Sequence, residues 1–286
     1  PDVVQNSWGI GRDEPGYEPC LSQWWSVVDN CEAAGVVVTW SAGNDGPGNG
    51  TIIVPADRAA TATRNFSIGA VRASGASFPY QVAPFSSRGP SLCTQEQPLI
   101  LKPEVVAPGV DVYSCVPGGG YQGGWSGTSM AGPHVAGIVA LLREANPDLD
   151  PDQIKTILME TARDLGRPGE DNESGWGFVD AYAAVLRALN DYGRIEGLVR
   201  NGSVGGTPVP GAAVVLPESG GRFAGTQDGR YAGAAPEGEW MAVAQADGFA
   251  PESSRVTVVP RQVARLDFLL RDVAGPSIRP LLTPES

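Results

Sequence analysis

One stretch limits what this chain can fold into more than any other: the small residues 127–137 and the apolar run 138–142 that follows them. The apolar run has the length and spacing of a buried helix, and the glycines before it let backbone approach backbone closely. Ser129 is therefore predicted at a helix N-terminus. Unpaired amides and the helix dipole favour negative charge there, which assists a nucleophile that attacks a carbonyl group. The structural alternative is that Ser129 only caps the helix.

A second candidate residue follows a predicted strand. Apolar residues recur at helical spacing over residues 20–34, and Gly35 is a natural stop. The β-branched run 36–40 is then typical of a strand buried on both faces, as in a parallel sheet covered by helices. Ligands of such sheets bind beyond the C-terminal ends of the strands, which is where Asn44 stands among glycines. Asn44 has the alternative interpretation of a turn residue.

Residues 41–46 and 127–137, in this order, resemble the asparagine and serine motifs of the subtilisin-like serine proteases, peptidase family S8. The resemblance extends over roughly residues 1–190 and implies an incomplete α/β fold: an open, mostly parallel sheet with helices on both faces. It also implies a serine endopeptidase in which Ser129 forms an acyl-enzyme. Asn44 would then donate from its side chain to the oxyanion, together with the backbone amide of Ser129.

The same resemblance assigns the walls of a substrate cleft. The strand formed by residues 3–9 would pair with an extended peptide, which is a general way of gripping a main chain. Two segments would line the cleft: Ser7, Trp8 and Gly9 on the acyl side, and Ser41, Ala42 and Gly43 in the primary specificity pocket. Residues 51–56 would close the far end of that pocket, and Ile53 would narrow it. Because this position is often small in the family, we expect Ile53 to favour modest apolar side chains.

The general base that such a serine needs is not evident. His134 is the single histidine of the chain. It lies roughly one and a half helical turns after Ser129, so its ring is expected to point away from the hydroxyl and to be structural. Asp2 lacks the sequence context of the family's catalytic aspartate. The catalytic Asp and His are therefore interpreted as absent, and the chain alone is expected to be inert.

Two explanations of that absence are open. The favoured one is that the aspartate and histidine lie on an N-terminal segment missing from a chain that begins at Pro1. The alternative is a degenerate, non-catalytic secreted binding protein that uses its C-terminal part.

Three further features are predicted along the first 190 residues. The glycine-rich residues 117–124 are interpreted as a surface loop that leads to the serine motif. Residues 150–165 are predicted to form a helix with an aspartate cap and a proline start. Residues 85–90 and 102–109 resemble other signatures of the family and are interpreted as scaffolding beneath the active site.

The hydrophobic period changes after this region. Short alternating strands separated by turn residues occupy residues 193–273, and Asp228 with Gly229 predicts a hairpin. This part resembles the carboxypeptidase regulatory-like β-sandwich, a small all-β module without chemistry of its own. The predicted domains are thus 1–190, 193–273, and a tail or linker, 274–286.

The charge balance excludes some classes of partner. The chain has 20 Lys and Arg against 32 Asp and Glu, a net charge of −12, which argues against nucleic acid and anionic membranes. No apolar run is long enough to cross a bilayer. A peptide or protein substrate is the expected partner.

Four cysteines bear on the cellular compartment. None has a histidine at metal-ligand spacing, so no metal site is predicted from them. Two disulfides are favoured over free thiols, with Cys20–Cys31 and Cys93–Cys115 preferred among three pairings, which predicts an extracellular protein. The alternative is four reduced cysteines in a cytosolic protein. No cofactor is required for the expected chemistry, and calcium is expected at most as a structural ion.

Overall fold

The computed structural model describes residues 1–93 and 101–273. The chain divides into two compact units, Pro1–Leu189 and a second unit that begins at Asn190. The predicted tail, 274–286, lies outside the described residues. In the part of the chain that the structure describes, no helix is both long and apolar enough to cross a bilayer.

The first unit is built on a five-stranded, mostly parallel sheet. Its strands are β1 (Val3–Asn6), β2 (Val37–Ser41), β3 (Phe66–Arg72), β4 (Gln81–Val82) and β5 (Val105–Pro108). β1, β2, β3 and β5 run parallel in that spatial order, and β4 pairs antiparallel with the end of β3. Every residue of β2 is buried, which explains its nearly continuous apolar and β-branched sequence. β1 stands at one edge, where β2 is its partner among the described strands.

The described residues include four α-helices: α1 (Trp25–Ala33), α2 (Thr128–Ala145), α3 (Pro151–Glu160) and α4 (Ala181–Asn190). α2 packs along β1, β2, β3 and β5. The residues it buries include Ala131, Val135, Val139 and Leu142. Because these positions are three or four residues apart, they share one face of the helix, which is the apolar pattern that predicted it. The α/β architecture is therefore the one expected from the sequence.

Two of the predicted helices are longer than the observed ones. α1 begins at Trp25 and not near Cys20: Cys20 has a φ of 65°, which an α-helix does not accommodate, and Ser22–Trp24 form a short 3₁₀ helix before α1. α3 starts as predicted, with Asp150 as its cap, but it ends at Glu160. The chain beyond it turns to form an antiparallel bridge between Arg163 and Phe178, and that pairing replaces further helical turns.

A two-stranded ribbon leads to the serine motif. Its strands are β6 (Val112–Val116) and β7 (Gly120–Trp125), which pair antiparallel. The prediction of a loop over residues 117–124 was therefore wrong from Gly120 onward. The glycines can pair their backbone with β6 because every residue of β7 is exposed, so no buried packing is lost for want of side chains. Tyr113 and Tyr121 stack across the ribbon, with ring centroids 5.7 Å apart.

The cysteine pairing predicted from the sequence was wrong. Cys20 bonds to Cys93, with the two Cα atoms 4.6 Å apart, whereas Cys31 and Cys115 are free. The prediction joined cysteines that are close along the chain, but a disulfide requires Cα atoms within about 7 Å in the folded protein. Cys31 lies in α1, and Cys115 lies in β6 of the ribbon. Next to the disulfide, the Cys20 amide donates a hydrogen bond to Asp57 at 2.9 Å.

Two ion pairs are buried in the first unit. The chain has two lysines, Lys102 and Lys155, and both are fully buried. Lys102 pairs with Glu104, and Lys155 pairs with Glu32. The Lys102 ammonium also donates to two backbone carbonyl oxygens at 3.1 Å, and the Lys155 ammonium donates to one at 2.7 Å. Burial raises the pKa of Glu104 and lowers the pKa of Lys155, and the pairing opposes both shifts.

The second unit is a β-sandwich. Its strands are β8 (Tyr192–Asn201), β9 (Ala213–Leu216), β10 (Gly221–Ala224), β11 (Arg230–Pro236), β12 (Gly238–Gln245), β13 (Phe249–Ala250), β14 (Glu252–Val258), β15 (Val263–Arg265) and β16 (Phe268–Asp272). One sheet has the order β10-β9-β12-β14, and the other has the order β11-β8-β16-β13 with β15 also beside β8. Inward side chains such as Ile195, Leu216 and Phe268 form one apolar core.

The turn at Asp228 and Gly229 is present, but the predicted hairpin is not. The Gly229 amide donates to the Thr226 carbonyl at 3.0 Å, which closes the turn. The strands on either side, β10 and β11, belong to different sheets. The turn therefore carries the chain from one sheet of the sandwich to the other.

Candidate active site

Ser129 is the second residue of α2, as the sequence predicts. The preceding Gly127 has a φ of 154°, and its carbonyl accepts from the Met130 amide at 3.0 Å, so the chain turns sharply into the helix. The Gly127 amide donates to the Gly109 carbonyl at 2.8 Å. A Cβ on Gly109 would stand 2.6 Å from the Cβ of Ala70, so only glycine permits this approach of the serine turn to the sheet.

Asn44 lies against the same turn. Its Oδ1 accepts from the Thr128 amide at 2.9 Å and from the Thr128 hydroxyl at 3.1 Å. That hydroxyl lies 3.2 Å from the Gly43 carbonyl oxygen and 3.3 Å from the Gly43 amide. Because Oδ1 is engaged by Thr128, the Nδ2 group is the part of the carboxamide left to bind a ligand. Thr128 was not predicted from the sequence as a site residue, because its role depends on Asn44, which is far away in the chain.

The two predicted cleft segments also reach the first turn of α2. Ser7 Oγ lies 3.4 Å from the Ser129 carbonyl oxygen, and Ser41 Oγ donates to the Thr128 carbonyl at 3.1 Å. The hydroxyls of Ser7 and Ser41 are 3.3 Å apart. Both strands that precede these segments are therefore tied to the helix that carries the serine.

Trp8, predicted to line the acyl side of the cleft, is half-exposed. It stands edge-on to the rings of Trp24 and Trp40, with centroids 5.2 and 5.0 Å away. Its indole N–H donates to the Asn6 side chain at 3.2 Å. These contacts hold a flat apolar side chain beside the segment that would pair with a peptide.

Ile53 lies between the two walls of the predicted pocket. A Cβ on Gly9 would stand 2.5 Å from Ile53 Cδ1, and a Cβ on Gly43 would stand 2.5 Å from Ile53 Cγ2. The Ile53 amide donates to the Ala42 carbonyl at 3.0 Å, which fixes the backbone behind the side chain. The isoleucine thus fills space between two backbone segments that carry no side chain of their own.

A cavity of about 460 Å³ opens beside Ser129. It is bordered by the ribbon of β6 and β7 and by Met130, Pro133 and His134 of α2. The Nδ1 atom of His134 lies 2.8 Å from the Met130 carbonyl oxygen, so this ring nitrogen is engaged by the backbone of its own helix.

Asp45, the residue after Asn44, lies near the acidic side chains of the loop at residues 11–14. The Gly11 amide donates to Glu14 at 2.9 Å, and a Cβ on Gly11 would stand 2.6 Å from an Asp45 carboxylate oxygen. Partial burial, and then the charges of Glu14 and Asp13, raise the pKa of Asp45. Across residues 1–93 and 101–273, no group of three or more His, Cys, Asp or Glu side chains is arranged to hold a metal ion.

Comparison with known families gives these features a context. Residues 1–177 match the model of the subtilase family, peptidase S8, and residues 194–271 match the carboxypeptidase regulatory-like domain. The chain therefore belongs to the subtilase family, a family of serine endopeptidases. Both resemblances drawn from the sequence are confirmed, as is the α/β fold class with an added β-sandwich.

Individual relatives cover the chain to different extents. Bacillopeptidase F of Bacillus subtilis (strain 168) is 38% identical over 208 residues, which is 70% of this chain and 13% of that protein. Subtilisin E of the same strain is 39% identical over 143 residues, which is 49% of this chain and 32% of that protein. The chain thus spans less than two thirds of the length of either relative.

Two solved structures are similar. Sphericase superposes with a TM-score of 0.50 and 31% identity over 62% of this chain and 56% of its own. Fervidolysin from Fervidobacterium pennivorans, described as a keratinolytic enzyme related to subtilisin, superposes with a TM-score of 0.50 over 93% of this chain and 44% of its own. The latter identity is 22%, so that likeness concerns the fold alone.

Proposed function

We propose that the first unit carries the nucleophile and the oxyanion-binding groups of a serine endopeptidase. Ser129 Oγ attacks the scissile carbonyl carbon while its proton passes to a base, and the departing amine takes that proton. Water then hydrolyses the acyl-serine ester. The oxyanion is bound by the Ser129 amide and by Asn44 Nδ2. The supporting observation is the pair of hydrogen bonds from Thr128 to Asn44 Oδ1, which holds the carboxamide beside the serine turn.

The base is the group that the chain does not supply in this proposal. A serine hydroxyl is a poor nucleophile until a base accepts its proton. His134 is the single histidine, and its Nδ1 is directed to the Met130 carbonyl of its own helix. We therefore assign the catalytic histidine and aspartate to polypeptide outside these 286 residues. The remaining steps use only the protein, the substrate peptide and water, so no cofactor is assigned to the reaction.

An uncharged segment supports that assignment. Residues 112–142 contain no Asp, Glu, Lys or Arg, although the whole chain has a net charge of −12. Large apolar side chains are exposed on it, including Tyr113 (70%), Tyr121 (67%) and Leu141 (52%). Exposed apolar area without charge marks a surface that another polypeptide covers. The edge strand β1 has no partner strand on its outer side among residues 1–93 and 101–273, so a further strand could pair there, and β1 packs against α2 in the same unit.

The substrate assigned to this site is an extended peptide. Its main chain pairs with residues 7–9 and 41–43. The side chain before the scissile bond enters the primary specificity pocket, which Ile53 narrows. Because Ile53 occupies the space between Gly9 and Gly43, only a small or modest apolar side chain fits there. An extracellular location is proposed from the Cys20–Cys93 disulfide, since such bonds persist in oxidising compartments.

A second candidate function rests on the same single histidine. A chain without a base is able to bind peptides without cleaving them, and the β-sandwich would then provide a further binding surface. This describes a non-catalytic secreted binding protein. Reactivity of Ser129 separates it from the peptidase.

The test is covalent labelling of Ser129 by a fluorophosphonate. The reagent is applied to the 286-residue chain and to a form extended at its N-terminus by the residues encoded upstream. Ser129→Ala is the negative control. Ser126→Ala is the matched control, because Ser126 is a nearby serine whose hydroxyl accepts from the Asp111 amide at 3.1 Å and has no part in the proposed chemistry.

Labelling of the extended form, lost in Ser129→Ala and kept in Ser126→Ala, is the expected result. Loss of the Asn44 donor should then slow turnover by on the order of 100- to 1,000-fold, a magnitude that comes from subtilisin itself. Absence of labelling in both forms contradicts the peptidase assignment and favours the binding protein.

A further inference from the structure

The loop that carries Asn44 needs support that the Thr128 contact alone does not give. Asn44 and Asp45 are exposed, and Gly43 has a φ of 111°, a conformation that other residues rarely adopt. Thr128 holds the end of the Asn44 side chain, but it leaves the backbone of the next residue, Asp45, without a partner from α2. Some other element must fix the direction in which the Asn44 side chain leaves the backbone.

Ser87 makes three contacts with that loop. The Asp45 amide donates to Ser87 Oγ at 3.1 Å, and the Ser87 amide donates to the Gly43 carbonyl at 3.0 Å. The Ser87 side chain also lies against the Cα of Gly43, where an added Cβ would stand 2.6 Å from Oγ. Ser87 is fully buried, and it bonds to the residues on both sides of Asn44. A hydrogen bond to a group withdrawn from bulk water is electrostatically stronger than one in water.

The neighbouring serine has a different task. Ser86 is also fully buried, but its Oγ accepts from the Ala70 amide of β3 at 3.0 Å. Ser86 therefore anchors residues 85–87 to the sheet, while Ser87 faces the loop that carries Asn44. The Gly46 amide donates to the Phe85 carbonyl at 2.9 Å, so a backbone contact continues the same support.

We propose that Ser87 is a positioning residue for catalysis: it clamps the backbone on both sides of Asn44 and so directs the carboxamide at the oxyanion. The proposal rests on the proposed function of Asn44. From the sequence, residues 85–90 are interpreted only as scaffolding, because a sequence does not show the contact partners of a buried serine.

The first experiment is a double-mutant cycle on the rate of Ser129 phosphonylation, in the form of the protein that reacts. Ser87→Ala should slow the reaction on the order of 10-fold, since a displacement of about 1 Å at an active site is costly. If Ser87 acts through Asn44, the variant with both Ser87→Ala and Asn44→Ala should react within about twofold of Asn44→Ala alone. Ser86→Ala is the matched control and should leave the rate within about twofold of the unaltered protein.

The second experiment does not depend on reactivity. Amide hydrogen exchange in the 286-residue chain should become at least about tenfold faster at Asp45 in Ser87→Ala. Exchange at Gly46 should stay unchanged, because its acceptor is the backbone carbonyl of Phe85. In Ser86→Ala the acceleration should instead fall on Ala70.

The outcomes separate the two proposals. Additive effects of Ser87→Ala and Asn44→Ala, or an equal loss of rate in Ser86→Ala, overturn the positioning role. Unchanged exchange at Asp45 in Ser87→Ala overturns the clamp whatever the reactivity of Ser129. If no form of the protein reacts, the proposed function fails, and faster exchange at Asp45 still supports the clamp as a physical contact.

Discussion

Replacing Asp57 by asparagine should stabilise the first unit at neutral pH and change its stability little near pH 4. Asp57 is almost fully buried; one carboxylate oxygen accepts from the Cys20 amide at 2.9 Å, and the other has no hydrogen-bond partner among the described residues. Burial raises the pKa of Asp57 from 3.8 to about 6, although the Cys20 amide and the charge of Lys102 lower it in part. An ionised carboxylate in this place is therefore costly.

The sign and size of the effect follow from that pKa. The folded protein holds the Asp57 proton more tightly than the unfolded chain does. Stability from this group is fully present below pH 4, is lost as the pH rises through about 6, and stays lost above it. The rise of the pKa from 3.8 to about 6 corresponds to about 3 kcal/mol. Asp57→Asn keeps an oxygen for the Cys20 amide and removes the charge, so it should regain up to about 3 kcal/mol at pH 7.

The measurement is urea unfolding followed by tryptophan fluorescence at pH 4 and pH 7. Six of the seven tryptophans lie in the first unit, so the signal reports mainly on that unit. The free energies of unfolding of the two proteins should agree at pH 4 and differ at pH 7. Asp13→Asn, at an exposed position, is the control and should follow the unaltered protein. A loss of stability between pH 4 and pH 7 that is the same with and without Asp57 would refute the reasoning.

Three other predictions concern the pocket, the disulfide and a helix cap. Ile53→Ala should open the space between Gly9 and Gly43 and improve cleavage after Leu or Phe, relative to cleavage after Ala, by on the order of 100-fold in a peptide library. Ile52→Ala is the control. A preference of the unaltered protein for Arg or Lys contradicts the pocket assignment. Removing the disulfide with Cys20→Ser and Cys93→Ser should lower the free energy of unfolding in urea by about 4 kcal/mol, because the bond closes a loop with a sequence separation of 73. Cys31→Ser should change the free energy of unfolding little. Equal losses of stability in the two proteins would argue against the pairing. Asp150→Ala should destabilise the first unit by about 1 kcal/mol through the loss of the α3 cap, and an unchanged urea midpoint would show that the cap carries no net stability.

The sequence was sufficient where the signal is local. The helix that begins beside Ser129 and the buried strand before Asn44 each follow from residues within one element, and both are present in the structure. The cysteine pairs were not predictable in this way, because the fold joins Cys20 to Cys93 across more than seventy residues. The contacts of Thr128 with Asn44 were missed for the same reason.

Other features could not be predicted because residue type does not determine the tertiary surroundings of a segment. The glycines of β7 were taken for a loop, but an exposed ribbon requires only backbone pairing, which glycine supplies. Asp228 and Gly229 form the turn that their sequence predicts, yet a turn does not determine whether the next strand joins the same sheet. Likewise, the consecutive serines 86 and 87 differ only in the direction of their side chains, and that direction is set by the loop and not by its residues.

The burial of both lysines makes amine chemistry a reporter of unfolding. An acylating reagent such as a succinimidyl ester has no accessible ε-amine on the folded first unit, since Lys102 and Lys155 are fully enclosed by their carboxylate partners and the sheet. Each lysine becomes modifiable only when that region of the core opens. The extent of acylation at the two lysines, measured by mass spectrometry, therefore reports how often each region opens. For the same reason, a lysine-specific protease has no accessible cleavage site on the native unit.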